Sequence, residues 1–175
     1  MKKFQRLTTM IKQNWQFVWI ALLAGISFTA CAQTKDLHNR ITAYNHVDLA
    51  TINERILQLV NQHRLSIGKG ELKMIDVATE QALQHSKDMM TGRTPFGHDG
   101  FDNRANVVKK SIGFINGAAE NVAYGQLSAE EVVDGWLHSP GHKRNIEGDY
   151  NLTGIGVSQN RDGVLYFTQL FVLKK

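Results

Sequence analysis

The chain has 175 residues, 42% of them hydrophobic, which is enough for one compact domain and too few for two of ordinary size. Its formal net charge of +4 comes from 20 Lys and Arg against 16 Asp and Glu, and Lys2, Lys3, Arg6 and Lys12 carry the whole excess because no acid precedes residue 31. The remainder is balanced, which removes the electrostatic ground for nucleic-acid binding.

Residues 1–30 read as a signal peptide: a basic start, then the apolar run 17–28 (FVWIALLAGISF). That run is shorter than the roughly 20 residues a spanning helix needs. Processing has two readings. Residues 30–32 (ACA) fit an ordinary small-x-small cleavage site, and residues 28–31 (FTAC) resemble a relaxed lipobox in which Cys31 is acylated and becomes the first mature residue. Acylation would tether the protein to a membrane surface. Cys31 is the only cysteine, so the domain has no internal disulfide and must be held by packing. Residues 31–47 show no sustained period and read as a tether, leaving 48–175 as the domain.

From Leu49 the apolar residues Leu49, Ile52, Ile56, Leu59 and Val60 recur at steps of three and four, predicting an amphipathic helix to Ser66, stopped by Gly68 and Gly70. A second helix is expected from Asp76 as N-cap to a break at Gly92 and Pro95. His63 and His85 fall in these helices and read as side chains with local hydrogen bonds. A short helix around 102–112 and an extended segment 117–125 follow. Ser128 and Glu131 form a capping box opening a helix through Ala129, Val132, Val133 and Trp136, with Pro140 and Gly141 as its stop. Segments 154–157 and 164–172 are strands around the turn signal 160–163 (NRDG). Both parities of the last strand are apolar, so helices should cover both faces of the sheet. The fold class expected is α+β, a three-layer α-β-α sandwich.

Five pieces in order then carry a family resemblance: residues 61–64 (NQHR), Gly97 with His98, 119–123 (AENVA), 136–145 (WLHSPGHKRN) and 166–169 (YFTQ). Together they resemble the CAP domain of cysteine-rich secretory proteins, antigen 5 and pathogenesis-related 1 (SCP-like), in its bacterial, cysteine-poor branch. The resemblance implies the three-layer sandwich and a cleft in which two histidines and two glutamates can bind a divalent metal. His98 matches the first histidine. Glu120, followed by Asn121, matches a glutamate, although Ala119 stands where glycine is usual. Ser139 stands in place of the second glutamate and Tyr166 in place of the second histidine, so half the tetrad is missing. The cleft expected here holds His98, Glu120, Asn121, Ser139, His142, Tyr166 and Gln169.

His142 offers a substitute. With His98 and Glu120 it would make a two-histidine, one-carboxylate set, a donor set suited to zinc with an open position for water. The other reading has His98 and His142 bonding loop backbone while Glu120 caps a turn or pairs with Arg144. A serine nucleophile at Ser139 is rejected because Ser-Pro-Gly is an ordinary helix stop and no Gly-x-Ser-x-Gly elbow is present. Gly154-x-Gly156 leads into a strand, which rejects a nucleotide loop. Trp136, Tyr124, Tyr166 and Phe167 read as core aromatics.

Two functions from different classes follow: an exported module, in the cell envelope or secreted, whose cleft binds a lipid or envelope-polymer ligand, and a metal-dependent hydrolase using His98, Glu120 and His142, with zinc as the candidate metal. Lipid binding is an implication of the resemblance. A surface-displayed interaction domain is a third reading. The protein is expected to be monomeric, with its membrane surface contact through acylated Cys31.

Overall fold

The computed structural model describes residues 48–175. The expected leader (1–30), the tether (31–47) and the acylation of Cys31 lie outside the described residues. Helix α1 spans Leu49–Ser66, and the Asp48 side chain accepts from the Ala50 N–H to cap it. The two-residue strand β1 (Lys73–Met74) leads into α2 (Asp76–Met90). Ile75, not Asp76, occupies the N-cap, and Asp76 opens the first turn with no side-chain cap. Then come α3 (Phe101–Ile112), β2 (Gly117–Gly125) and α4 (Ala129–His138), whose capping box of Ser128 and Glu131 is formed as expected. The expected stop at Pro140 is also a start: Pro140 is the first residue of a short helix α5 (Pro140–Ile146), where its missing N–H is not needed. Strands β3 (Leu152–Gln159) and β4 (Leu165–Leu173) close the chain.

The sheet order is β1-β3-β4-β2, with β1 parallel to β3 and the other pairs antiparallel. Alternation divides β3 between two layers. Ile155 and Val157 join Phe167 and Phe171 of β4 against Ile56 and Val60 of α1, Val132 and Trp136 of α4 and Ile146 of α5. On the other face Ala78 of α2 and Val108 of α3 meet Val172. Gly154 and Gly156 lie on that second face, and a Cβ there would stand 2.1 Å from the α2 backbone at Ala78 and Leu83. Helix α2 therefore rests directly on bare strand, which is the physical use of the Gly-x-Gly pair.

The first motif, 61–64, is structural. Buried Asn61 donates to the Leu72 carbonyl and accepts from the Leu72 N–H. Arg64, 2% exposed, donates to the carbonyls of Gly70, Ile146, Gly148 and Tyr150. One guanidinium thus ties the end of α1 to the loop after α5. Among the described residues no helix is long and apolar enough to cross a membrane.

Candidate functional site

β2 is an edge strand, and the adjacent residues Glu120 and Asn121 point to opposite faces of it. Register confirms the split: Glu120 pairs with Leu170, and Asn121 with Gln169. Glu120 faces α2 and α3. Its side chain is 2% exposed, yet both oxygens are satisfied. Arg104 donates from Nε to Oε2 and from Nη2 to Oε1, both at 2.8 Å. His98 Nδ1 donates to Oε1, also at 2.8 Å. Arg104 further donates to the Asp99 carbonyl, fixing the loop that carries His98. Glu120 thereby holds His98 through Nδ1 in one orientation, and the side chain remains 53% exposed.

His85 of α2 completes the buried wall. Its Nε2 donates to the Gly97 carbonyl at 2.8 Å and lies 3.9 Å from Glu120. Burial holds this imidazole below its ordinary value, and the Arg104 charge adds to that, while the Gly97 bond and nearby carboxylates oppose it. The local bond expected for His85 is present. His63 bonds Glu147, with 2.9 Å between them, away from this cluster.

On the other side of the edge, α5 carries His142 and Asn145. Asn145 donates to the Glu120 carbonyl and to Asn121 Oδ1, and Asn121 donates to the His142 carbonyl. The exposed strand edge is thus covered by side-chain amides. The His142 ring lies 6.5 Å from the Trp136 ring, and burial, followed by the charge of nearby His98, lowers its proton affinity. Ser139 sits at the joint between α4 and α5. Gln169 is fully buried and donates to Thr153 Oγ1 in the sheet, so it lies inside the fold.

The zinc set expected from His98, Glu120 and His142 does not fit this arrangement. Among the described residues no three His, Cys, Asp or Glu are gathered to hold an ion, and the Glu120 carboxylate is already engaged by Arg104 and His98. The expected partner of Glu120, Arg144, is replaced by Arg104.

A second correction concerns the aromatics. Trp136 and Phe167 are core residues, but Tyr124 is 57% exposed and Phe96 is 49% exposed. Tyr124 stacks on Tyr166 at 5.9 Å and meets the edge of Phe96 at 4.7 Å. With Met89 and Pro95 these rings line a groove of about 420 Å³. Tyr124 follows Glu120 by four residues on the same face of β2, so the groove continues the row that begins at the polar cluster. A concavity of about 460 Å³ lies between α1 and α4, around Leu59, Val133 and Leu137. None of the expected cleft residues reaches it, so the smaller groove is the functional candidate.

The geometry defines a three-layer α-β-α sandwich with an aromatic groove beside a buried His-Glu-Arg cluster. Residues 57–171 match the model of the CAP (cysteine-rich secretory protein) family, and the chain belongs to that family. It is 32% identical over 133 residues to the uncharacterized protein YkwD of Bacillus subtilis, a match spanning 72% of this chain and 49% of that one. It is 30% identical over 134 residues to the uncharacterized membrane protein YlbC of Bacillus subtilis, spanning 70% of this chain and 34% of that one. The matches thus span half or less of these curated relatives. Among solved structures, an extracellular SCP-domain protein from Bacillus anthracis matches with TM-score 0.61 and 25% identity, covering 71% of this chain and 41% of that one. An outer surface protein from Borrelia burgdorferi matches with TM-score 0.62 and 22% identity, covering 74% and 97%, which supports the fold.

Proposed function

We propose that this protein is an exported, cell-envelope or extracellular binding module that holds a lipid or envelope-polymer ligand in the groove of Met89, Pro95, Phe96, Tyr124 and Tyr166. The observation that carries the reading is the pair of exposed rings Phe96 and Tyr124, the second stacked on half-buried Tyr166, because large aromatic rings left half-open to solvent at a concave surface gain most by covering a ligand. Oriented His98 at the polar end supplies a hydrogen-bonding group for the ligand's head. The extracellular and outer-surface neighbours support an exported location. A hydrolase built on His98, Glu120 and His142 would require Glu120 to give up Arg104, and it has no comparable support.

The test is equilibrium binding of a fluorescent long-chain fatty acid and of a soluble peptidoglycan fragment to the wild-type chain and to F96S/Y124S. Saturable binding of one probe that weakens tenfold or more, about 1.4 kcal/mol, is the expected result. Absence of binding for both probes, or equal affinity in the variant, contradicts the proposal.

A further inference from the structure

The opposite end of β2 carries a different surface. Lys109 and Lys110 lie in the last turn of α3, and Phe114 follows the helix at 70% exposure, the most exposed large apolar residue among the described residues. The Lys109 ammonium stands 5.5 Å from the Phe114 ring centroid. The end of β4 brings two more lysines to the same place: Lys174 Nζ donates to the Ile112 carbonyl at the end of α3, and the Lys175 N–H donates to Asn116 Oδ1. No Asp or Glu occurs between Asp102 and Glu120, nor after Asp162. Asp149 is within electrostatic reach of Lys175, but its carboxylate is paired with Lys69 at 2.7 Å. Although the charges of residues 31–175 balance, the end of α3 and the end of β4 bring four lysines to one region, with Lys109 against the open Phe114 ring and Lys174 at the Ile112 carbonyl.

We propose that Lys109, Lys110, Phe114, Lys174 and Lys175 form a docking surface for an anionic phospholipid bilayer, with Phe114 entering the interface and the lysines meeting headgroup phosphates. Each lysine near such a surface strengthens binding about fivefold, and the attraction is screened by salt. The aromatic ring favours a bilayer over a soluble polyanion, because only the bilayer offers it an apolar boundary. Gly117 and Tyr124 are separated by seven steps of strand, about 24 Å. Docking by this end therefore leaves the aromatic groove facing away from the membrane. The proposal does not depend on the groove's ligand.

The experiment is sedimentation of the full chain with phosphatidylcholine vesicles, with and without phosphatidylglycerol. Every variant keeps residues 1–47, so differences between variants report the patch. Binding should require phosphatidylglycerol and weaken with added salt. K109S/K110S should lower partitioning tenfold or more and F114S several-fold. K87S/R161S, which removes two positive charges elsewhere, should match the wild type. The proposal is overturned by a wild type that ignores phosphatidylglycerol, by K109S/K110S binding as wild type, or by an equal loss in K87S/R161S. Unchanged binding by F114S, with K109S/K110S losing affinity for soluble polyphosphate, would instead make the patch a polyanion site and also overturn it.

Discussion

Arg104 and Glu120 are the most consequential polar pair in the described fold, and their removal gives a sharp expectation. Their side chains are 9% and 2% exposed, so water screens their attraction little. Two hydrogen bonds of 2.8 Å join them, one to each carboxylate oxygen. Replacing Arg104 with Met leaves a buried carboxylate whose remaining partner is half-exposed His98, and this class of change costs about 3–5 kcal/mol. Replacing Glu120 with Met strands the guanidinium and should cost about as much. In R104M/E120M neither charge is left behind, so the double variant should be no less stable than either single one. The coupling energy expected from the cycle is about 3 kcal/mol or more. Urea unfolding followed by circular dichroism measures it. With a slope of about 2 kcal/mol/M, each single variant should lower the midpoint by roughly 2 M. A double variant whose loss equals the sum of the two single losses would refute the reasoning.

The remaining predictions concern proton affinity and packing. His142 is held below its ordinary value of 6.5 by burial and then by His98, so the unfolded chain takes up a proton that folded His142 refuses. Its contribution is therefore flat above about pH 6.5, and stability falls as the pH drops below that value. H142N should show a shallower decline in urea midpoint on acidification than wild type, with His85 accounting for part of what persists; equal slopes would contradict the assignment. For packing, G156A places a Cβ 2.1 Å from the Leu83 nitrogen and should cost about 3 kcal/mol or more. G135A, with nothing within 4 Å of its new Cβ, should gain up to about 1 kcal/mol. Thermal unfolding of the two variants checks the contrast.

Much of the fold was legible because its signals are local. The stripe from Leu49 to Val60, the Ser128 and Glu131 capping box and the two-faced apolarity of 164–172 are each set by short-range periodicity. Asp76 was misplaced by one residue and α5 was missed, since a Pro that ends one helix also suits the first turn of the next. The site was only half legible. His98 and Glu120 do meet, but Arg104 of α3, which binds both oxygens of Glu120, is not among the expected site residues. The signal was present: Phe101, Arg104, Val108 and Ile112 share one helical face, and a cation in an apolar stripe needs a buried partner. Tyr124 and Tyr166 were misread because alternation along a strand gives parity and not depth. Whether a face is covered by a helix or left open beyond its end depends on where α2 stops, at Met90, and that is a tertiary fact.

The central claim is that ligand enters the groove of Phe96, Tyr124 and Tyr166. Its most direct test is amide chemical-shift mapping of the isotope-labelled chain titrated with a long-chain fatty acid and, separately, with a soluble peptidoglycan fragment. Saturable shifts concentrated at Thr94, Phe96, Tyr124 and Tyr166 are predicted for one of the two probes. Shifts clustered instead around Leu59, Val133 and Leu137, between α1 and α4, or no saturable shift with either probe, would contradict the account.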